Sequence, residues 1–311
     1  MLWCAAMPVV ALSMYANPGL IPWLSPLACY LALAAGVIAH NHNHCPTFRN
    51  RKLNNAFGMW LSIFYGYPTF AWIPTHNLNH HKYVNKAGDA TITWRYTNRH
   101  NAWTAASYFF VSSYFQSDPI KAFISKARTN NPTLFRQIIT QYVVWAGTHL
   151  SLLALAMVLL GPWAGARVYL FAFAIPAVFA LWTIMFFNYI QHVHTDPWSE
   201  HNHSRSWTGW AINFFLFNNG LHAAHHEMPG AHWSTLREAH TRIEAEIHPE
   251  LKPRYFFPWC FANYALAPFF PRFGTQQIGR PPFSPPSGEK AEVKFGDELD
   301  AVESGVNAAR V

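Results

Sequence analysis

The chain has 311 residues, of which 51% are hydrophobic, 17% aromatic and only 12% charged. Soluble domains carry about a quarter charged residues, so the composition excludes an ordinary soluble domain and predicts an integral membrane protein. The formal net charge of +7 does not indicate a nucleic-acid partner, because the basic residues lie in loops beside apolar spans and form no dense basic face. Cys4, Cys29, Cys45 and Cys260 are far apart without a CxxC pair, which excludes a disulfide framework and a thiolate metal site.

The first fifteen residues lack a positively charged start and are expected to be retained as a membrane segment. Apolar stretches at Leu2–Ala16 and Leu24–Ala39, joined by Asn17, Pro18, Gly19 and Pro22, are expected to form a hairpin of short or tilted spans, since crossing a ~30 Å core takes about 20 residues. The second arm runs into His40-Asn41-His42-Asn43-His44. At helical spacing His40 and His44 share a face and His42 points away, so the first two are candidate metal ligands. The aromatic-rich stretch Ala56–Pro74 ends at His76, His80 and His81. A full crossing here would separate these histidines from His40 and His44, so the stretch is expected to lie in the interface, broken at Tyr65-Gly66-Tyr67-Pro68.

Between Arg49 and Arg136 there are eleven Lys and Arg residues against Asp89 and Asp118 as the only acids, which marks this side, and with it the N-terminus and the histidines, as cytoplasmic. Trp103–Phe115 is amphipathic and suits a membrane surface. Two long spans follow, Ile138–Leu160 and Arg167–Ile190, and the second delivers Asn188 and His192, four apart on one face. His149 stands alone within a span and is expected to be a packed or hydrogen-bonded core residue, while His201 and His203 fall in a polar loop where histidines are usually solvated. His222, His225 and His226 sit at i, i+3 and i+4, so their rings are expected to leave one face within about one turn. Leu236, Ala239, Ile243 and Ile247 read as an amphipathic soluble helix, and residues 253–271 as interfacial.

The expected fold is all-α: a polytopic membrane protein of about four transmembrane helices, with interfacial helices and a cytoplasmic helical cap bearing the histidines. Residues 1–272 form one integral-membrane domain, and 273–311 a disordered C-terminal tail.

Nine imidazoles, at His40, His44, His76, His80, His81, His192, His222, His225 and His226, are too many for one tetrahedral zinc. They suit two metals of five or six coordination. All-nitrogen ligation fits iron, although copper, zinc and nickel also accept imidazole. Asp89, Asp196 and Glu227 are placed to receive ring N–H groups from the ligands.

The spacings HxxxH, HxxxHH and HxxHH, in this order between these apolar segments, resemble the membrane fatty acid desaturase superfamily over roughly residues 25–250. HNLNHHKYVN is similar to the second box of acyl desaturases, and QHVHTD and HAAHH have counterparts there. The resemblance implies a histidine-bound di-iron centre, O2 as co-substrate and a fatty acyl substrate carried as lipid, acyl-CoA or acyl-carrier protein. It also implies that Asn188 acts at one iron through water. No HPGG or GxGxxG sequence is present, so the electrons are expected from an external donor such as ferredoxin or cytochrome b5 with its reductase. Membrane alkane hydroxylases and carotenoid ketolases share related boxes, so di-iron hydroxylation is the alternative. A zinc hydrolase would leave about six imidazoles unexplained, and a cation transporter would place its ionisable groups along a mid-membrane path rather than at segment ends.

Overall fold

The computed structural model describes residues 2–287, and among these residues every regular element is helical. In chain order the α-helices are α1 (Leu2–Ala16), α2 (Ile21–His44), α3 (Arg51–Tyr65), α4 (His81–Tyr83), α5 (Ala102–Asn130), α6 (Pro132–Leu160), α7 (Pro162–Tyr169), α8 (Ile175–His192), α9 (Trp210–Phe215), α10 (His222–Glu227), α11 (Leu236–Ile243) and α12 (Phe256–Phe261). Wider π-helical turns occupy Ile73–His80, Leu170–Ala174 and Ala262–Leu266.

Side-chain caps set several helix starts. Asn50 Oδ1 accepts from the amides of Lys52 and Leu53, and Asn131 Oδ1 from that of Leu134 with Pro132 in the first turn. Among the described residues three helices are long and apolar enough to cross a membrane: Pro18–His44, Pro132–Leu160 and Pro162–His192. The expected fourth, Leu2–Ala16, is apolar but only 15 residues long, or about 22 Å at helical rise, short of the hydrocarbon core. The aromatic stretch after Arg51 forms the 15-residue helix α3, which is not among these three. α3 stops at Tyr65 because Gly66 takes φ 87°, where the left-handed C-terminal cap favours glycine.

Two compact units divide the described chain: residues 2–72 with 123–184, and residues 73–122 with 185–287. The first contains the apolar helices. Its close packing shows at Gly165, where a Cβ would stand 2.3 Å from the Ala156 carbonyl oxygen, and in the bond from Tyr15 Oη to Leu152 O at 3.1 Å. On α6 only Ile138 and Ala156 are buried, as suits a helix whose apolar surface faces lipid.

The second unit is polar inside. Its surface helix α5 exposes Trp103, Phe110 and Tyr114 while burying Ala105, Tyr108 and Ser112, which is the expected amphipathic division. Beyond residue 272 the chain makes hydrogen bonds at Thr275, Ile278 and Arg280. Asn263 Oδ1 accepts from the Thr275 amide, His194 O from the Ile278 amide and Asp196 Oδ2 from the Arg280 amide. The rest of the expected tail, residues 288–311, lies outside the described residues.

Candidate metal centre

Two nests of ring nitrogens form in the second unit. His80, His192, His222 and His226 each offer one ligand nitrogen, all within 4.8 Å of one another, and His76, His81 and His225 do the same. In the first nest His192 Nε2 lies 3.1 Å from His80 Nε2 and 2.9 Å from His222 Nε2, with His226 Nε2 3.1 Å from that of His222. In the second, His81 Nε2 is 3.1 Å from His76 Nε2 and 3.0 Å from His225 Nε2. The nests adjoin: the rings of His81 and His226 are 4.4 Å apart between centroids. In the first unit His40 and His44 occupy the last turn of α2 with ring centroids 4.8 Å apart, and His40 also meets the edge of Trp72.

Local backbone decides which histidine joins which nest. Ile73–His80 is π-helical, with i→i+5 bonding that widens the turn. That brings His81 round to His76 and leaves His80 for the other nest. On α10 the rings of His222, His225 and His226 lie 4.6 to 5.7 Å apart between centroids, with His222 and His226 in the first nest and His225 in the second. His192 ends α8. Asn188, one turn earlier, donates its Nδ2 to Tyr108 Oη at 2.7 Å.

With six residues, α10 is too short to be stable alone. It rests on a core of Ala223, Ile247 and Leu251 with Ile243 and Ile278 packed against it, and the Ala223 amide donates to Ser206 Oγ at 3.1 Å.

Outer partners fix the ring orientations. Asp89, 1% exposed, accepts from His80 Nδ1 at 2.8 Å. Burial alone would raise the Asp89 carboxyl, but His80 and the donors from Thr91 and Asn85 together outweigh it and hold the group below the usual carboxylate range. Asn85 takes φ 63°. Its amide donates to Asp89 Oδ2 at 2.8 Å, and its Nδ2 to His192 O at 3.0 Å. His192 Nδ1 donates to His203 O at 3.1 Å. Tyr108 Oη donates to Thr91 O, and burial raises its phenol.

Of the three acids expected to receive ligand N–H groups, Asp89 does so. Asp196 instead accepts from the amides of Trp198 and Arg280, and Glu227 pairs with His201 at 2.6 Å. His203, expected in solvent, is 8% exposed and lies with its ring 5.2 Å from that of His226. Burial first, then His201 and His80, lower it to about 4. The roles of Asn85, Tyr108 and His203 were not apparent from spacing. For Asn85 a signal existed, because it closes the HNLNHHKYVN motif.

The nests fit a metal on donor chemistry. Asp89 and the His203 carbonyl only accept, so the Nδ1 atoms of His80 and His192 carry the protons. Their Nε2 atoms face each other at 3.1 Å within a nest of four ring nitrogens, a crowding of imidazoles that a shared metal cation would stabilise. Burial and the surrounding imidazoles likewise hold His226 neutral, well below the ordinary histidine range.

The family model for fatty acid desaturases matches residues 18–259. The chain belongs to the fatty acid desaturase family. No curated protein and no solved structure matches it. As a fatty acid desaturase family member the chain is an oxidoreductase, its clustered histidines are able to bind metal, and its three apolar helices associate it with a membrane.

Proposed function

We propose that this desaturase is an O2-dependent membrane acyl desaturase with two histidine-ligated irons. His76, His81 and His225 would bind one iron, and His80, His192, His222 and His226 the other. His40 and His44 enter the ligand set on the HxxxH spacing of the first box, and Asn188 acts at one iron through water. The observation that carries the reading is the convergence of ring nitrogens from His80, His192, His222 and His226, with Nδ1 of His80 and of His192 each held by an oxygen acceptor behind its ring.

Bound iron with O2 supplies the oxidising power that side-chain acids and bases lack for an unactivated C–H bond. In sum, two hydrogens from adjacent acyl carbons, two electrons and two protons reduce O2 to two waters and leave an alkene. The chain's own residues orient the ligands. Asp89 fixes the orientation of the His80 ring, Asn85 and the His203 carbonyl hold His192 from both ends, and Tyr108 orients the Asn188 amide. The electrons come from an external donor, ferredoxin or cytochrome b5 with its reductase, approaching the basic cytoplasmic side. The acyl group arrives as lipid, acyl-CoA or acyl-carrier protein.

The test is to purify the protein in detergent, quantify iron and zinc, and incubate acyl substrates with O2 and a reducing system. Two irons per chain and products lighter by two hydrogens support the desaturase. Two irons with a gain of one oxygen reassign it as a hydroxylase, and zinc without oxidation overturns the oxidative reading.

A further inference from the structure

Arg205 is fully buried and forms no ion pair among the described residues. A buried guanidinium without a carboxylate is costly, so its surroundings must repay it. Carbonyl oxygens do so in part: Nε has no hydrogen-bond partner, but one terminal nitrogen donates to Ile190 O and to Val193 O, the latter at 3.2 Å. The other donates to Thr275 Oγ1 at 2.9 Å, and the guanidinium lies 4.9 Å from the centre of the Trp259 ring. The backbone adds a bond from the Arg205 amide to Gln191 O at 2.6 Å. Three carbonyl acceptors flanking His192, at 190, 191 and 193, thus answer to this one residue. Burial lowers Arg205 only to about 10, and it remains cationic at neutral pH.

The carbonyls it covers end α8, the helix whose last residue is His192. A helix C-terminus carries about half a negative charge, and here that charge would bear on the nest. A cation placed on it holds the last turn in one geometry and cancels the local negative potential. No cation is needed for capping alone, since water or a neutral amide would satisfy the same oxygens.

We propose that Arg205 is a positioning residue for the metal centre: its buried charge, seated on the last carbonyls of α8, fixes His192 and raises the reduction potential of the metal that His192 binds. The inference rests on the proposed metal reading. The sign follows from Coulomb's law, because a nearby positive charge favours the metal state of lower charge.

The full-length protein in detergent, as wild type, Arg205→Lys and Arg205→Gln, tests it. Lysine keeps the charge and glutamine keeps a donor without it. Three quantities are read: iron per chain, thermal midpoint, and the oxidised fraction by Mössbauer spectroscopy at the potential that half-oxidises wild type. The glutamine variant is expected to shift the oxidised-to-reduced ratio about five-fold or more toward oxidised, and the lysine variant less than about two-fold. Equal ratios in the two variants, whatever their thermal midpoints, overturn the proposal. If the glutamine variant holds no iron, retention by the lysine variant supports it and loss from both overturns it. A wild type that takes up no iron sinks the di-iron reading instead. Arg205 is then read in cobalt(II)-loaded protein, where visible bands shifted by glutamine but not by lysine support the inference, and identical bands overturn it.

Discussion

The histidines of the nests and two others, His42 and His194, differ in what stands behind their rings. His42 directs Nδ1 to Thr47 Oγ1 and Nε2 to Asn54 O, and His194 directs Nδ1 to Thr275 O and Nε2 to Asn98 O. In both, protein oxygens engage both nitrogens. His80 and His192 spend one nitrogen on an acceptor and aim the other at further imidazoles. Both kinds occur in the run HVH, at His192 and His194, so histidine density does not separate one from the other. The placement of oxygen acceptors does.

The strongest way to break this contrast is His192→Ala, which removes the nitrogen shared by two contacts of the first nest. Metal content should fall by about one ion per chain, and turnover by more than the roughly 10–100-fold typical of losing an outer partner. Elemental analysis beside product mass measurement checks it, and retention of both metals would contradict the assignment. Asp89→Asn comes next. It keeps an oxygen behind His80 but removes the charge, so metal affinity measured by competition with a chelator should drop about 10–100-fold. Tyr108→Phe removes the acceptor of the Asn188 amide. It should leave metal content unchanged and slow turnover by a few-fold, in line with about 1 kcal/mol for one hydrogen bond.

His194→Gln probes the other kind. Metal binding should match wild type while stability falls by about 1 kcal/mol for each bond lost, as read by thermal unfolding. A loss of metal there would erase the distinction. The smallest effect is expected at His201, which Glu227 and Glu246 flank and which Glu227 above all raises above the ordinary histidine range. A raised folded value stabilises fully below the unfolded one and is lost as pH climbs through the folded one. His201→Gln should therefore flatten the decline of the thermal midpoint above about pH 6.5.

The helical class, the apolar spans and the second-unit ligand candidates were legible because hydropathy and i, i+4 spacing are properties of contiguous sequence. His222 with His226 follows that rule directly. His81 does not: its partnership with His76 depends on a π-helical turn that α-helical spacing cannot anticipate. Burial of His203 depends on chain that returns from residues around 226, and Glu227 was spent on a surface histidine rather than a ligand. Leu2–Ala16 has the composition of a membrane helix at a length of 15 residues, so composition alone does not fix how far it reaches.

The third histidine box stands on a six-residue helix that owes its shape to Ile247 and Leu251 beneath it. A genetic screen for metal-deficient variants would therefore recover these two aliphatic residues alongside the ligands, because Leu251→Ala, at about 2–5 kcal/mol, withdraws the floor under three imidazoles at once. Variants of that kind would bear no chemical relation to iron and would still share its phenotype.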